Sequence, residues 1–262
     1  MISIKKLKLQ ALELRKQTLL MFIKKGEAHL GGSFSMIEII LSLYKKILKK
    51  NDKFILSKSH ASFPLCILLR EKKLKPKITT HLELDEKNGI FCTTGSLGHG
   101  LPIATGMAFA NKLKKKKGKI FVMISDGEWQ EGTTWESLLI ASKHKLDNLI
   151  ILIDYNKIQA LSKLDDALPL KSLIKKFTAF NINCINVIDG HNFLHILKAL
   201  GRKIVKNKPT AIIFNTIKGK GIKEFENDPV WHARKLQNNE LIIAKKRLGI
   251  KWEENSVKSL IN

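Results

Sequence analysis

The chain is poor in cysteine, arginine and acid, and it lacks any long apolar block. Its 262 residues include three cysteines, Cys66, Cys92 and Cys184, scattered and odd in number. No Cys-x-x-Cys occurs, so neither a zinc site nor a disulfide framework is suggested. A reducing, cytoplasmic setting is expected. No run approaches the ~20 apolar residues that a membrane helix needs, so no membrane partner is expected. The first 25 residues alternate Lys with Leu and Ile at helical spacing. They have neither the apolar block nor the cleavage-type end of a secretory signal, and they read as a surface helix.

Acid is scarce: 23 Asp and Glu stand against 47 Lys and Arg, for a net charge of +24. Such a balance can mark binding to nucleic acids or anionic membranes. Only five of the 47 basic residues are arginine, however: Arg15, Arg70, Arg202, Arg234 and Arg247. Arginine is the preferred fork for phosphates and base edges. The lysines are spread along the whole chain, with one dense run at Lys114-Lys115-Lys116-Lys117. With its abundant Ile and Asn, the profile reads as a base-composition bias acting on solvated positions. Specific nucleic-acid binding is not expected. The excess could still attract anionic sugar phosphates or an acidic partner subunit.

The apolar share is 44%, enough to fill a full core. Residues 1–262 read as a single α/β domain without internal repeats or long linkers. The pattern predicts helices over 5–24 and 35–49, a strand over 54–56, a helix from about 61, and a helix over 101–113. Strands follow over 120–124 and 149–153, with a helix over 134–143 between them. A strand over 182–188, a helix over 192–205, a strand over 211–214 and a helix over 240–248 complete the series. Alternation of this kind implies a doubly wound parallel sheet with helices on both faces.

Asp126 and Asn156 carry the most chemistry. Each follows an apolar run, Ile120-Phe121-Val122-Met123-Ile124 and Leu149-Ile150-Ile151-Leu152-Ile153, with one helix between. In a βαβ unit both residues emerge at the carboxyl ends of parallel strands, where open α/β sheets bind ligands. A carboxylate, an amide oxygen and a nearby backbone carbonyl are hard donors suited to Mg²⁺, which keeps its other positions for phosphate and water. The turn Gly95-Ser96-Leu97-Gly98-His99-Gly100 offers close backbone approach and a helix start behind it. His29, His60, His81 and His232 sit within three residues of Gly, Ser, Thr or Pro, in expected loops, and can shuttle protons near neutral pH. His144, His191 and His195 match no motif and read as surface histidines.

Ser125-Asp126-Gly127 with Asn156 thirty residues on resembles the diphosphate motif of thiamine diphosphate enzymes. Further segments resemble one branch of that family, the transketolases. They are Ala28-His29-Leu30-Gly31-Gly32-Ser33, Ser57-Lys58-Ser59-His60-Ala61-Ser62 and Thr93-Thr94-Gly95-Ser96-Leu97-Gly98-His99-Gly100-Leu101. His81, fourteen residues before Gly95, also has a family counterpart, as do Lys218-Gly219-Lys220-Gly221 and Glu226-Asn227-Asp228-Pro229-Val230-Trp231-His232. The matches run in family order from residue 28 to 232. Ser125 and Ser59 stand where the family carries glycine, Leu30 where it carries proline, and His99 where it carries glutamine.

The resemblance implies a thiamine diphosphate-binding fold and a transferase with a pentose phosphate role. Its reaction would move a two-carbon ketol unit from a ketose phosphate to an aldose phosphate. Asp126, the Asn156 side chain and the Ile158 carbonyl would ligate Mg²⁺, and Gly127 would let the backbone approach the diphosphate. His60 and His232 would touch the cofactor, and Gly95, Ser96 and Leu97 would line its cleft. His29, His81 and His232 would bind and polarise the ketose. Glu131 would lie near a subunit contact. Only the diphosphate-binding half of such an active site is represented. The resemblance therefore implies the N-terminal subunit of a split transketolase, active with a C-terminal subunit carrying the aminopyrimidine-binding domain and an activating Glu, two of each chain together. The rival readings are the α subunit of a 2-oxo acid dehydrogenase, a deoxyxylulose phosphate synthase, normally a longer chain, and a catalytically inert binding subunit.

Overall fold

The computed structural model describes residues 2–26, 29–160 and 162–250. Ala28 of the first quoted motif, and the last twelve residues of the expected domain, lie outside them. The centre is a five-stranded parallel sheet in the order β1-β2-β3-β7-β6. Its strands are β1 (Lys53–Leu56), β2 (Ile120–Ser125), β3 (Leu149–Tyr155), β6 (Asn183–Val187) and β7 (Thr210–Asn215). A two-stranded antiparallel ribbon, β4 (Ile158–Gln159) with β5 (Ser162–Lys163), follows β3 directly.

The inner strands are mostly apolar, with polar residues only at or next to their ends, because both sheet faces are covered, yet their side chains still alternate. Phe121, Met123, Ile150 and Leu152 join one core, with Leu14 of α1 (Ile4–Lys25), Ile40 of α3 (Ile37–Ser42), Leu65 of α4 (Phe63–Glu71) and Ile196 of α9 (Phe193–Leu200). Val122, Ile124, Ile151 and Ile153 join the other core. There they meet Ala104 of α5 (Gly100–Leu113), Leu138 of α6 (Gly132–Lys143) and Phe177 of α8 (Leu173–Ala179). Each such large side chain contributes roughly 1.5–3 kcal/mol by leaving water. The expected doubly wound architecture is therefore present, with β2 and β3 as parallel neighbours.

Three expectations need correction. The helix expected over 35–49 begins earlier, as α2 (Leu30–Ser35), breaks at Met36, resumes as α3, and ends in a π-helical turn over Leu43–Ile47. The helix expected over 192–205 stops at Leu200, where Gly201 forms the C-cap and 202–205 continue without helix. The helix α7 (Leu164–Ala167) and α8 were not anticipated; both are short, and α8 begins with the Ser172 side chain capping the Lys175 N–H.

Candidate active site

Sheet register brings the polar strand ends together. Ser125 pairs with Asp154 and Tyr155 with Asn215, so the chains leaving β2, β3 and β7 emerge side by side. A cleft of about 240 Å³ opens at this carboxyl edge. Its walls include Lys58 after β1, Asp126 and Gly127 after β2, Asn156, Ile158 and Gln159 after β3, and Lys218 after β7. Gly32, His60, Leu97, Glu131 and His232 complete much of the remainder.

Asp126 is almost wholly buried. Its Oδ2 accepts the Lys157 N–H at 2.6 Å and its Oδ1 accepts the Gly127 N–H at 3.0 Å. Burial, and next the charge of Asp154, push its carboxyl up to about 7 against those bonds and the charge of Lys58. Asn156 Oδ1 accepts the Ile158 N–H at 3.1 Å, and the Ile158 carbonyl accepts from Lys218 Nζ at 3.4 Å. Asp154 behaves differently. Burial alone would raise it, but its ion pair with Lys58 outweighs that, helped by hydroxyl bonds from Ser35 and Thr216, and holds it low. Glu128, also buried, binds three loops together. It accepts from the Ser57 hydroxyl, from the Gly98 N–H at 3.2 Å and from the Ser125 N–H at 2.9 Å. The Ser125 hydroxyl reaches the same carboxylate at 3.2 Å, which accommodates the departure from glycine there.

Three histidines form a cluster. Ring centroids of His29 and His60 lie 5.3 Å apart, His29 and His232 5.6 Å, and His60 and His232 5.7 Å. Burial, then the charges of Lys58 and the neighbouring rings, hold His60 well below its ordinary value. Burial and then Lys218 push His232 down to about 4. Both rings are therefore neutral at pH 7. Lys218, whose Nζ lies 3.2 Å from His232 Nδ1, is itself lowered to about 8, mainly by burial.

His81 stands apart from this cluster. It is exposed and packs on Gly95, where a Cβ would fall 2.4 Å from its Cδ2; with φ at +153°, only glycine fits that position readily. Gly95 and Ser96 adjoin Leu97 but are not among the cleft's wall residues. His191 corrects its surface reading: its ring is nearly buried, between Glu38 and the Ile217 N–H. Lys58, Lys218, Asp154, Glu128 and Gln159 were not singled out from the sequence. Lys58 and Lys218 sat inside quoted motifs, hidden by the general abundance of lysine. Asp154 carried a signal in being an acid at the end of a wholly apolar run.

The donor set fits a divalent cation with a phosphorylated ligand. Among the described residues no group of three or more His, Cys, Asp or Glu gathers to hold a metal. What gathers instead is one carboxylate, one amide oxygen and one carbonyl, which suit Mg²⁺ sharing its shell with phosphate. Asp126 is buried with a raised carboxyl and Lys218 is buried with a lowered ammonium. A cation would relieve the first and an anion the second. At Gly127 an added Cβ would make only ordinary contact with Gln159, at 3.4 Å or more, so the protein's own packing does not demand glycine there.

The family description "Transketolase, thiamine diphosphate binding domain" matches residues 11–259. A 6-deoxy-6-sulfo-D-fructose transketolase subunit, SqwG, of Clostridium sp. (strain MSTE9) is 35% identical over 249 residues, 87% of this chain and 90% of its own length. An apulose-4-phosphate transketolase subunit of Actinobacillus succinogenes is 34% identical over 241 residues, 84% of this chain and 87% of its own. The transketolase structure from Campylobacter jejuni superposes with a TM-score of 0.84 at 26% identity, covering 99% of this chain and 46% of that one.

Proposed function

The chain belongs to the transketolase family through its thiamine diphosphate binding domain, and from that membership we propose that it is the diphosphate-binding, N-terminal subunit of a two-chain transketolase. With a C-terminal partner it transfers a two-carbon ketol unit between sugar phosphates in the cytoplasm, in pentose phosphate metabolism. The observation that carries this reading is the convergence of Asp126, Asn156, Ile158 and Lys218 with His60 and His232 in one cleft, His29 packing against both of those rings.

In this reading Asp126, Asn156 Oδ1 and the Ile158 carbonyl would hold Mg²⁺, Gly127 would leave room for the diphosphate, and Lys218 would supply a positive charge to it. Bound thiamine diphosphate supplies the electron sink for carbon–carbon cleavage. His60 touches the cofactor, as does His232, which with His29 and His81 also binds the ketose. His29, His81 and His232 are the groups placed to exchange protons with sugar hydroxyls. Gly95, Ser96 and Leu97 line the approach. Residues 1–262 act as one domain.

Partner dependence is supported by two observations. Relatives of similar length bear the name of transketolase subunits. Beside the cleft, the packed pair α5 and α6 leaves Ile103, Leu139 and Ile140 exposed, and the surface above Gly106 and Gly132 is open. Exposed apolar side chains on this helix pair are available for burial by another chain. The family match and the His29, His60 and Lys218 segments favour this reading over a 2-oxo acid dehydrogenase subunit.

Reconstitution is the test. The purified chain is expected to show no ketol transfer alone and to gain it with a chain supplying an aminopyrimidine-binding domain and its Glu. Leu139→Glu should block that assembly while changing the chain's own stability by no more than about 0.5 kcal/mol. Activity from the isolated chain would overturn the two-chain reading.

A further inference from the structure

The loop that carries Lys218 is held from behind by groups outside the cleft. The turn Asp189-Gly190-His191 leads from β6 into α9. Gly190 N–H donates to the Asn215 carbonyl at 2.8 Å, and a Cβ on Gly190 would stand 2.7 Å from Thr216 Cγ2. The glycine thus lets this turn lie directly on the chain leaving β7. His191, its backbone N–H bonded to Asp189 Oδ1 at 2.9 Å, then projects between two elements. Its Nε2 accepts the Ile217 N–H at 2.8 Å, so Nδ1 carries the proton and donates to Glu38 Oε2 at 3.0 Å.

Glu38 is fixed in turn by Arg15, whose guanidinium meets its two oxygens at 2.6 and 2.8 Å. The same arginine reaches the loop a second time, donating from Nε to the Lys220 carbonyl at 2.8 Å. The loop is therefore gripped at Ile217 and at Lys220, on either side of Lys218. On the cleft side, the Gly219 N–H meets the Gly31 carbonyl at 3.0 Å, and the Asn227 N–H meets the Lys218 carbonyl at 3.0 Å.

We propose that His191 is a positioning residue for the cleft: by accepting the Ile217 N–H it fixes the peptide that sets Lys218 against the Ile158 carbonyl and His232. The importance of that position rests on the proposed role of Lys218 toward the diphosphate. The assignment differs from a general packing role because it is specific to one hydrogen-bond acceptor and one downstream lysine.

His191→Phe fills the same space without an acceptor, and His191→Gln keeps an acceptor at the far end of the side chain. The readout is the acylation rate of individual lysines by acetic anhydride, mapped by peptide mass spectrometry on the full chain without cofactor. In His191→Phe, Lys218 should react ~10-fold faster, in line with the 10–100-fold effects of residues that orient ligating groups. In His191→Gln it should stay near the wild-type rate. Lys58, equally buried but held by Asp154 and the Gly32 carbonyl, should not change in either variant. An unmoved Lys218 in folded His191→Phe, or an equal rise at Lys58, would overturn the proposal. Should His191→Phe fail to fold, amide exchange at Ile217 in the wild-type chain decides: protection supports the clamp, and exchange as fast as an open loop amide overturns it. Loss of cofactor binding by the assembled wild-type enzyme would refute the reading of the cleft, whereas an unmoved Lys218 refutes only the clamp.

Discussion

Asp126 and Glu38 are both buried carboxylates, yet their surroundings drive them in opposite directions. Asp126 sits by a second carboxylate, Asp154, whose cation Lys58 is already engaged, and its own pKa rises to about 7. Burial would raise Glu38 too, but the charge of Arg15 and hydrogen bonds from His191 and Arg15 outweigh it and hold the group at about 2. Burial is common to both, so partners decide. A buried carboxylate whose charge is matched inside the chain fastens structure. One whose charge is left unmatched is ready for a ligand from outside.

The largest expected effect falls on the unmatched side. Asp126→Ala should abolish Mg²⁺-dependent thiamine diphosphate binding in the assembled enzyme, a loss of several kcal/mol by calorimetry. The same substitution should leave the unfolding midpoint of the metal-free chain unchanged or higher. A clear loss of stability would place Asp126 in the structural class with Glu38 and break the contrast.

Within the cleft region, His29→Ala and His81→Ala should spare cofactor affinity and lower catalytic efficiency by about 10²–10⁴-fold, the range for a group acting in proton transfer. His232→Ala should weaken both quantities. Near-normal efficiency in both of the first two variants would remove the transketolase chemistry assigned to them. His81 is the sharper case, because it lies on the Gly95 loop and not in the three-ring cluster.

Glu38→Gln should show the reverse pattern to Asp126→Ala. Removing one partner of a buried ion pair costs about 3–5 kcal/mol, read by denaturant unfolding of the chain. A change below about 1 kcal/mol, within the range of a surface pair, would mean that Arg15 and His191 do not depend on Glu38.

The acid limb gives a smaller effect with a fixed sign. The Glu38 pKa falls on folding from its ordinary 4.5 to about 2. The unfolded chain therefore binds the proton more readily, and the stabilisation is fully present above pH 4.5 and fades as pH falls through 2. At ~1.4 kcal/mol per unit, it is worth roughly 3 kcal/mol. Unfolding curves taken from about pH 5 down to about pH 2 should show this loss in the wild type and not in Glu38→Gln.

Much of the fold was legible because covered parallel strands must be apolar runs, and those runs lie where they were expected. Element ends were less legible. Met36 breaks a helix inside an apolar stretch, and nothing local marks it. Leu200 ends another one residue before a glycine that, read alone, passed as helical. In the site, Asp126, Asn156, His60 and His232 could be found because they stand in short motifs, the first three soon after a strand end and His232 in the turn Pro229–His232. Lys58 and Lys218 were not separable from solvated lysines, since burial is not a property of the residue type. His191 was misread for the same reason.

The amino-acid sequence by itself determined the alternation of strands and helices, the family, and the set of polar residues delivered to one edge of the sheet. Those follow from local periodicity, and from the rule that parallel strands send all their carboxyl ends to one side. The tertiary structure alone decided which charges are matched. Arg15, Glu38, His191 and Ile217 come from four distant segments, as do Lys58, Asp154, Ser35 and Thr216. Desolvation and Coulomb attraction act over a few ångströms of space, not along the chain, so the division between a fastening carboxylate and a waiting one exists only once the sheet has closed.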